Sequence, residues 1–334
     1  MVWVTILVGT DTEPTVTETN SFLIIREDLN AWDGTLIASA GEVITPHMFD
    51  EIRNQGLYRR TESISVHDCG LIEAFEAAIN EDCYKIIFDT DEVRSKVLEV
   101  ICDIPLTTDI SQELRLFRAT DYYTYRHILI TTALSTVMAL DLFQDRPLVS
   151  LAAFTALTHD FGKSRIPLRI LQSSKKLSPQ EYLYILEHPW IGFLLLTYYT
   201  GTSYSLNSQV ALNHHEKNDG TGYPRGVTVH DPIVQLVTIC DIYDALISPR
   251  SYRKFPYDVR GALDFLCDEA ERGRLNLQGV KLLISYNRQN RPAADSITIS
   301  QSHSGYRPPD DKNHYSCRED YEETDLSDGV RQGV

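Results

Sequence analysis

Residues 214–224 read HHEKNDGTGYP, and a His-Asp pair, His159-Asp160, stands upstream. Two adjacent histidines in a polar, glycine-broken stretch are costly in a core but useful as metal ligands. Neutral imidazole together with carboxylate suits divalent zinc, manganese or iron. Tyr223, set between Gly222 and Pro224, adds a rigid aromatic lip beside them. The stretch predicts a metal site that acts on a ligand, not one that merely holds a fold.

Working outward, the chain has 334 residues, room for two ordinary domains, and its 43% hydrophobic and 23% charged content are those of a globular protein. A formal charge of −16 argues against a general binder of polymeric nucleic acid or of membrane surfaces, which needs a basic face. An anionic ligand would have to be captured by local metals and a few cations. The six cysteines (Cys69, Cys83, Cys102, Cys240, Cys267, Cys317) have no CxxC spacing and read as reduced, mostly buried thiols. With no apolar run of about 18 residues and no basic leader, the sequence predicts a cytoplasmic protein without signal peptide or membrane span.

The first hundred residues read as mixed. Val2–Val8 and Ser21–Arg26 are β-rich, Thr35–Ile44 is an apolar run broken by Gly41, and Pro46–Gln55 reads as a short helix. From about residue 111 the character is continuously helical. Asp145-Arg146-Pro147 starts a helix that should run to a stop at Gly162, and Ser178-Pro179-Gln180-Glu181 is a capping box opening a helix to about Tyr199. Asp231-Pro232 repeats the start signal ahead of IVQLVTICDIYDALIS, apolar almost all round and so a buried central helix. Beyond about Arg288 the chain turns polar and reads as disordered.

Five of the ten histidines, His127, His159, His188, His214 and His215, fall on or beside these helices. One such histidine is usually a satisfied core or surface residue; five in one helical region, two of them adjacent, shift the balance to ligands. Asp160 at a helix end can bridge two cations while His159 binds one. Asp241 sits among Ile239, Cys240 and Ile242, where an ionised carboxylate needs a cation or hydrogen-bond donors. Asp244, one turn on, either orients a ligand or caps a loop. Lys163, Arg250 and Arg253 are cations close in sequence to these ligands and suited to phosphate. Two divalent ions roughly 3.5–4 Å apart can bind a phosphoryl oxygen and activate water, with Lys163 supporting the leaving oxygen.

In order, TYRH (124–127), HDFGKSRIP (159–167), EHPWIG (187–192), HHEKNDGTGYP (214–224) and CDIYDALISPRSYR (240–253) resemble the HD-GYP family of bacterial phosphodiesterases, a branch of the HD metal-dependent phosphohydrolases. The resemblance covers roughly residues 111–288; DLNAWDGTLIASAGEVITPHMFDEIRNQGL (28–57) is more weakly similar to the N-terminal region of some members. It implies an α+β chain in which an all-helical HD-type catalytic domain (111–288) follows a small mixed α/β N-terminal domain (1–110), regulatory or dimerising, and precedes a polar tail (289–334). It also implies hydrolysis of cyclic di-GMP. The metal ligands would be His127, His159, Asp160, His188, His214, His215 and Asp241, with Asp160 bridging. Asp160 and Lys163 would be catalytic, and Lys163, Tyr223, Arg250 and Arg253 would contact substrate.

The implied cofactors are two divalent metal ions, iron or manganese. Some members place a glutamate four residues before the first ligand histidine to help hold a third metal; here that position is Tyr123, which implies two metals and mainly linear pGpG as product. Diguanylate cyclase (GGDEF) domains and a second copy of the chain are the partner expectations. The competing readings are a catalytically silent cyclic-dinucleotide receptor or interaction module, which degenerate ligands would favour, and a phosphodiesterase for another cyclic nucleotide.

Overall fold

The computed structural model describes residues 24–57, 63–64 (backbone only), 70–175, 177–249, 255–300 and 304–308. In chain order, β1 (Leu29–Asn30) and β2 (Leu36–Ala38) form an antiparallel pair, followed by α1 (Pro46–Leu57). A second antiparallel pair, β3 (Ser63–Ile64) with β4 (Leu106–Thr107), brackets α2 (Leu71–Ile79), a 3-10 turn at Asp82–Tyr84 and α3 (Asp91–Cys102). Then come α4 (Thr108–Thr120), α5 (Tyr122–Leu142), α6 (Arg146–Thr158), a 3-10 turn at Phe161–Arg165 and α7 (Leu168–Leu171). The remainder is α8 (Pro179–Thr200), α9 (Leu206–Asn213), α10 (Pro232–Ile247), α11 (Val259–Glu271), α12 (Leu277–Tyr286) and a 3-10 turn at Ala294–Ser296. The architecture is mostly helical. None of the described helices is long and apolar enough to cross a membrane.

The start signals work as expected. Ser178 and Glu181 complete the capping box of α8, and the Asp231 carboxylate accepts from the backbone N–H groups of Ile233 and Val234 at the head of α10. The expected run of α6 to Gly162 is corrected: the helix ends at Thr158. Asp160 leaves helical geometry (φ −100°, ψ 9°), and 3-10 bonding carries the chain through 161–165. Gly162 is no stop signal. A Cβ there would lie 1.9 Å from the His188 carbonyl oxygen, so its lack of a side chain is what lets α8 approach the turn.

The main core is built on α5 and α10, buried on nearly all faces, as the apolar sequence of 232–247 predicts. Ile128, Leu134 and Met138 of α5 meet Val237, Cys240 and Leu246 of α10 in a cluster that also takes in α6, α11 and α12. Phe75, Tyr84, Val97 and Ile101, all N-terminal to residue 110, lie in this same cluster. So does Ile297: the polar stretch after 288 is anchored by that side chain, by Ser285 donating to the Pro292 carbonyl, and by Arg291 pairing with Asp89. A smaller cluster joins Leu29, Ile37, Met48 and Ile52 to Phe193, Leu194 and Tyr198 of α8. The β-rich Val2–Val8 lies outside the described residues.

Polar ties then fix the turn at 161–165. Arg165 forks onto buried Glu113 at 2.6 and 3.0 Å, Tyr199 donates to the same carboxylate at 2.6 Å, and the Arg165 Nε donates to the Asn30 carbonyl at 3.1 Å. Arg26 pairs with Glu187, next to His188. Cys83, Cys102, Cys240 and Cys267 are free thiols, the last two buried and the first two half-buried.

Candidate metal centre

Five elements deliver the seven expected ligands to one buried place. His127 comes from α5, His159 and Asp160 from the end of α6, His188 from the middle of α8, His214 and His215 from just past α9, and Asp241 from α10. All seven are buried, none more than 6% exposed.

Helix ends explain how two of the rings are aimed, and two other devices aim His188 and His127. His159 and His214 are the C-cap residues of α6 and α9. The last carbonyls of a helix lack intrahelical donors, and each ring fills that deficit with Nδ1: His159 to Ala156 O at 2.7 Å, His214 to Ala211 O at 2.9 Å. The partial negative charge of both helix C-termini also favours a cation in front of them. In α8 the device is Pro189. Lacking an N–H, it cannot bond the carbonyl of Ile185, which accepts from His188 Nδ1 at 2.6 Å instead. His127 donates Nδ1–H to Asp244 at 2.5 Å, which resolves the open reading of Asp244: it orients a ring. In each case Nε2 is left facing the centre.

Asp160 lies between two groups. Its Oδ2 is 3.6 Å from His127 Nε2 and 3.5 Å from His159 Nε2, while its Oδ1 is 3.4 Å from His188 Nε2 and 3.6 Å from His214 Nε2. His127, His159 and Asp241 form one set of potential donors; Asp160, His188, His214 and His215 form the other. Lys163 Nζ contacts Asp160 Oδ2 at 2.6 Å.

Burial sets the protonation state of three of the imidazoles. It pushes His159 down to about 4, and it pushes His188 and His215 well below the usual range, with neighbouring positive charge adding to the effect. Burial opposes charge on Asp160, yet Lys163 holds that carboxyl well below the ordinary carboxylate range. Asp241 is likewise opposed by burial and is held well below the ordinary range by His127 and His215, whose ring nitrogens lie 2.9 and 3.9 Å from its oxygens.

Neutral imidazoles around ionised carboxylates are the donor set of a divalent cation. Among the described residues, His159 Nε2, Asp160 Oδ1 and Asp241 Oδ2 are buried without a hydrogen-bond partner. His188 Nε2 faces His214 Nε2 at 3.2 Å and His215 Nε2 at 3.1 Å. The Nδ1 protons of His188 and His214 are committed to carbonyls, so these two bring lone pairs that a cation would make favourable. The residues fit a metal.

The HD domain family matches residues 95–277. The chain belongs to that family. This HD domain also has curated relatives: a cyclic di-GMP phosphodiesterase of Pseudomonas aeruginosa (33% identical over half of this chain and 40% of that protein) and one of Thermotoga maritima (37% identical over 40% of this chain and 37% of that protein). A 3′3′-cGAMP-specific phosphodiesterase of Vibrio cholerae is 30% identical over 51% of this chain and 39% of its own length. The chain thus spans about two fifths of these relatives. The HD-GYP resemblance of the motifs agrees with the family and with these names.

The GYP loop is closed by Glu216, a residue the sequence did not single out. Its carboxylate accepts from the backbone N–H groups of Arg225 at 2.7 Å and Val227 at 3.0 Å. Gly222 passes so close to His215 and Glu216 that a Cβ would meet backbone at 2.4 and 2.5 Å. Tyr223, expected as a lip, is 8% exposed and stacks on His215, 4.6 Å between centroids and 18° between planes. Tyr123 is half exposed on α5. Arg250 and Arg253 lie outside the described residues. Glu113, Arg165, Tyr199 and the proton logic of Pro189 were also missed; only the last had a sequence signal, a proline directly after a helical histidine.

Proposed function

We propose that this HD domain is a metal-dependent phosphodiesterase that hydrolyses cyclic di-GMP, mainly to linear pGpG, with two iron or manganese ions as cofactors. The observation that carries the reading is Asp160, whose two oxygens each face a separate set of buried imidazoles. His127, His159, Asp160 and Asp241 would hold one ion; Asp160, His188, His214 and His215 would hold the other. Bound divalent ions supply Lewis acidity that activates water and offsets phosphate charge. The protein's own part is to keep His159, His188 and His215 neutral, to present Nε2 and to exclude bulk water from the carboxylates. Lys163 keeps Asp160 ionised and stands 17% exposed at its edge, placed to support the leaving oxygen. Arg250, Arg253 and Tyr223 complete the substrate contacts in this reading, Tyr223 acting through His215.

Tyr123 in place of a third-metal carboxylate supports two ions and a reaction that stops at pGpG. The mixed segment before residue 110 would be a regulatory or dimerising unit, with diguanylate cyclase domains as candidate partners and the cytoplasm as the location. A second reading, 3′3′-cGAMP as substrate, is favoured by the Vibrio cholerae relative of that name. The test is turnover of both dinucleotides by metal-loaded protein, followed by chromatography. Conversion of cyclic di-GMP to pGpG supports the proposal; cleavage of 3′3′-cGAMP alone supports the second reading; binding without turnover supports a receptor.

A further inference from the structure

The turn at Asp82–Tyr84 precedes residue 95, where the family match begins, yet it reaches the metal centre through Asp244. Tyr84 is fully buried and donates its hydroxyl to Asp244 Oδ1. Arg126 Nη1 donates to the same oxygen at 3.1 Å and to Ser248 Oγ at 2.8 Å; Ser248 in turn donates to Asp244 Oδ1 at 2.7 Å. Arg126 is gripped from its other side by Glu81, which accepts from Nε at 2.8 Å and from Nη2. Its guanidinium also lies 5.6 Å from the centre of the Tyr84 ring.

These contacts leave Asp244 Oδ2 for His127 Nδ1, 2.5 Å away. A neutral imidazole carries one ring proton, and the partner at Nδ1 decides where it sits. Tyr84, Arg126 and Ser248 together fix the rotation of the fully buried Asp244 carboxylate. When one of these donors is lost the carboxylate turns, and Nε2 of His127 is no longer held as a bare donor toward the centre.

We propose that Tyr84 and Arg126, backed by Glu81, are positioning residues for His127: through Asp244 they set the affinity of the half of the centre that contains His127, His159 and Asp241. The inference rests on the reading of His127 as a metal ligand. The alternative is a purely structural clamp tying the α2–α3 connection to α5 and α10.

The experiment titrates manganese into the chelator-treated full chain and, separately, records unfolding of the same metal-free proteins. It compares wild type with Tyr84→Phe, Arg126→Lys and Asp244→Asn. Tyr84→Phe keeps the ring and removes only the hydroxyl. The expected result is about tenfold weaker binding for Tyr84→Phe and Arg126→Lys and about a hundredfold for Asp244→Asn, the range seen for residues that orient ligands, at nearly unchanged metal-free unfolding for Tyr84→Phe. Wild-type affinity in Tyr84→Phe and Arg126→Lys, with only their unfolding midpoints lowered, would overturn the inference and leave the metal centre standing. A wild-type protein that takes up no manganese would overturn both.

Discussion

The two halves of the proposed metal centre are built from different chemistry. On one side Asp241 brings a full charge of its own, and His127 is backed by a second carboxylate, Asp244. On the other, His188 and His214 are aimed by backbone carbonyls, and His215 is braced by the face of Tyr223. The only negative charge among that second group's four residues is Asp160, which both halves share. One further charge about 4 Å away is worth about 4 kcal/mol per unit of cation charge at an effective dielectric of 20. The difference teaches that the halves need not fill together: the Asp241 side should bind its ion far more tightly, and the imidazole side should be the one that empties first.

Asp241→Asn should break the comparison most severely. Removal of that charge should weaken the tight site by at least about a hundredfold on the same electrostatic argument, whereas His188→Ala should empty the weak site and leave one tightly held ion. Metal content after dialysis distinguishes them; two ions retained in His188→Ala would refute the hierarchy.

Acid sharpens the contrast through His159. Its folded value near 4 lies below the ordinary histidine value of 6.5, so the unfolded chain takes up the proton more readily. That contribution is fully present above pH 6.5 and is lost as pH falls toward 4, up to about 3 kcal/mol at 1.36 per unit. Metal-free protein followed by denaturant unfolding from pH 7 to 4 should lose stability in that window, and His159→Gln should flatten the loss. An equally steep loss in the variant would assign it to other groups. The smallest effect belongs to the ring stack. Tyr223→Phe should leave metal content unchanged, and Tyr223→Ala should loosen the imidazole-side ion by about 0.5–1.5 kcal/mol, the usual worth of such a pair.

Much of this was legible before any coordinates. The caps at Ser178 and Asp231 and the all-round apolar run of 232–247 are local signals, and local physics sets them. The seven ligand candidates were visible because histidines and buried acids are expensive unless used. What could not be read were contacts between residues far apart in the chain: Tyr84 with Asp244, Arg126 with Glu81, Arg165 with Glu113. Apart from Asp244, each of those residues alone is an ordinary charged or aromatic side chain with no periodicity to mark it. Gly162 was misread for a related reason, since what constrains it is the carbonyl of His188 on another helix. The helices α2 and α3 were lost within a region that reads as mixed, although Thr90 caps α3 in the usual way.

The most direct test of the central claim is metal content and turnover measured together on protein purified without oxygen, loaded with iron or manganese, beside an Asp160→Ala control. The account predicts two ions per wild-type chain and conversion of cyclic di-GMP to pGpG, and in the control loss of both ions' stable retention and of turnover. Asp160→Ala protein that keeps both ions, or that still cleaves the dinucleotide, would contradict it.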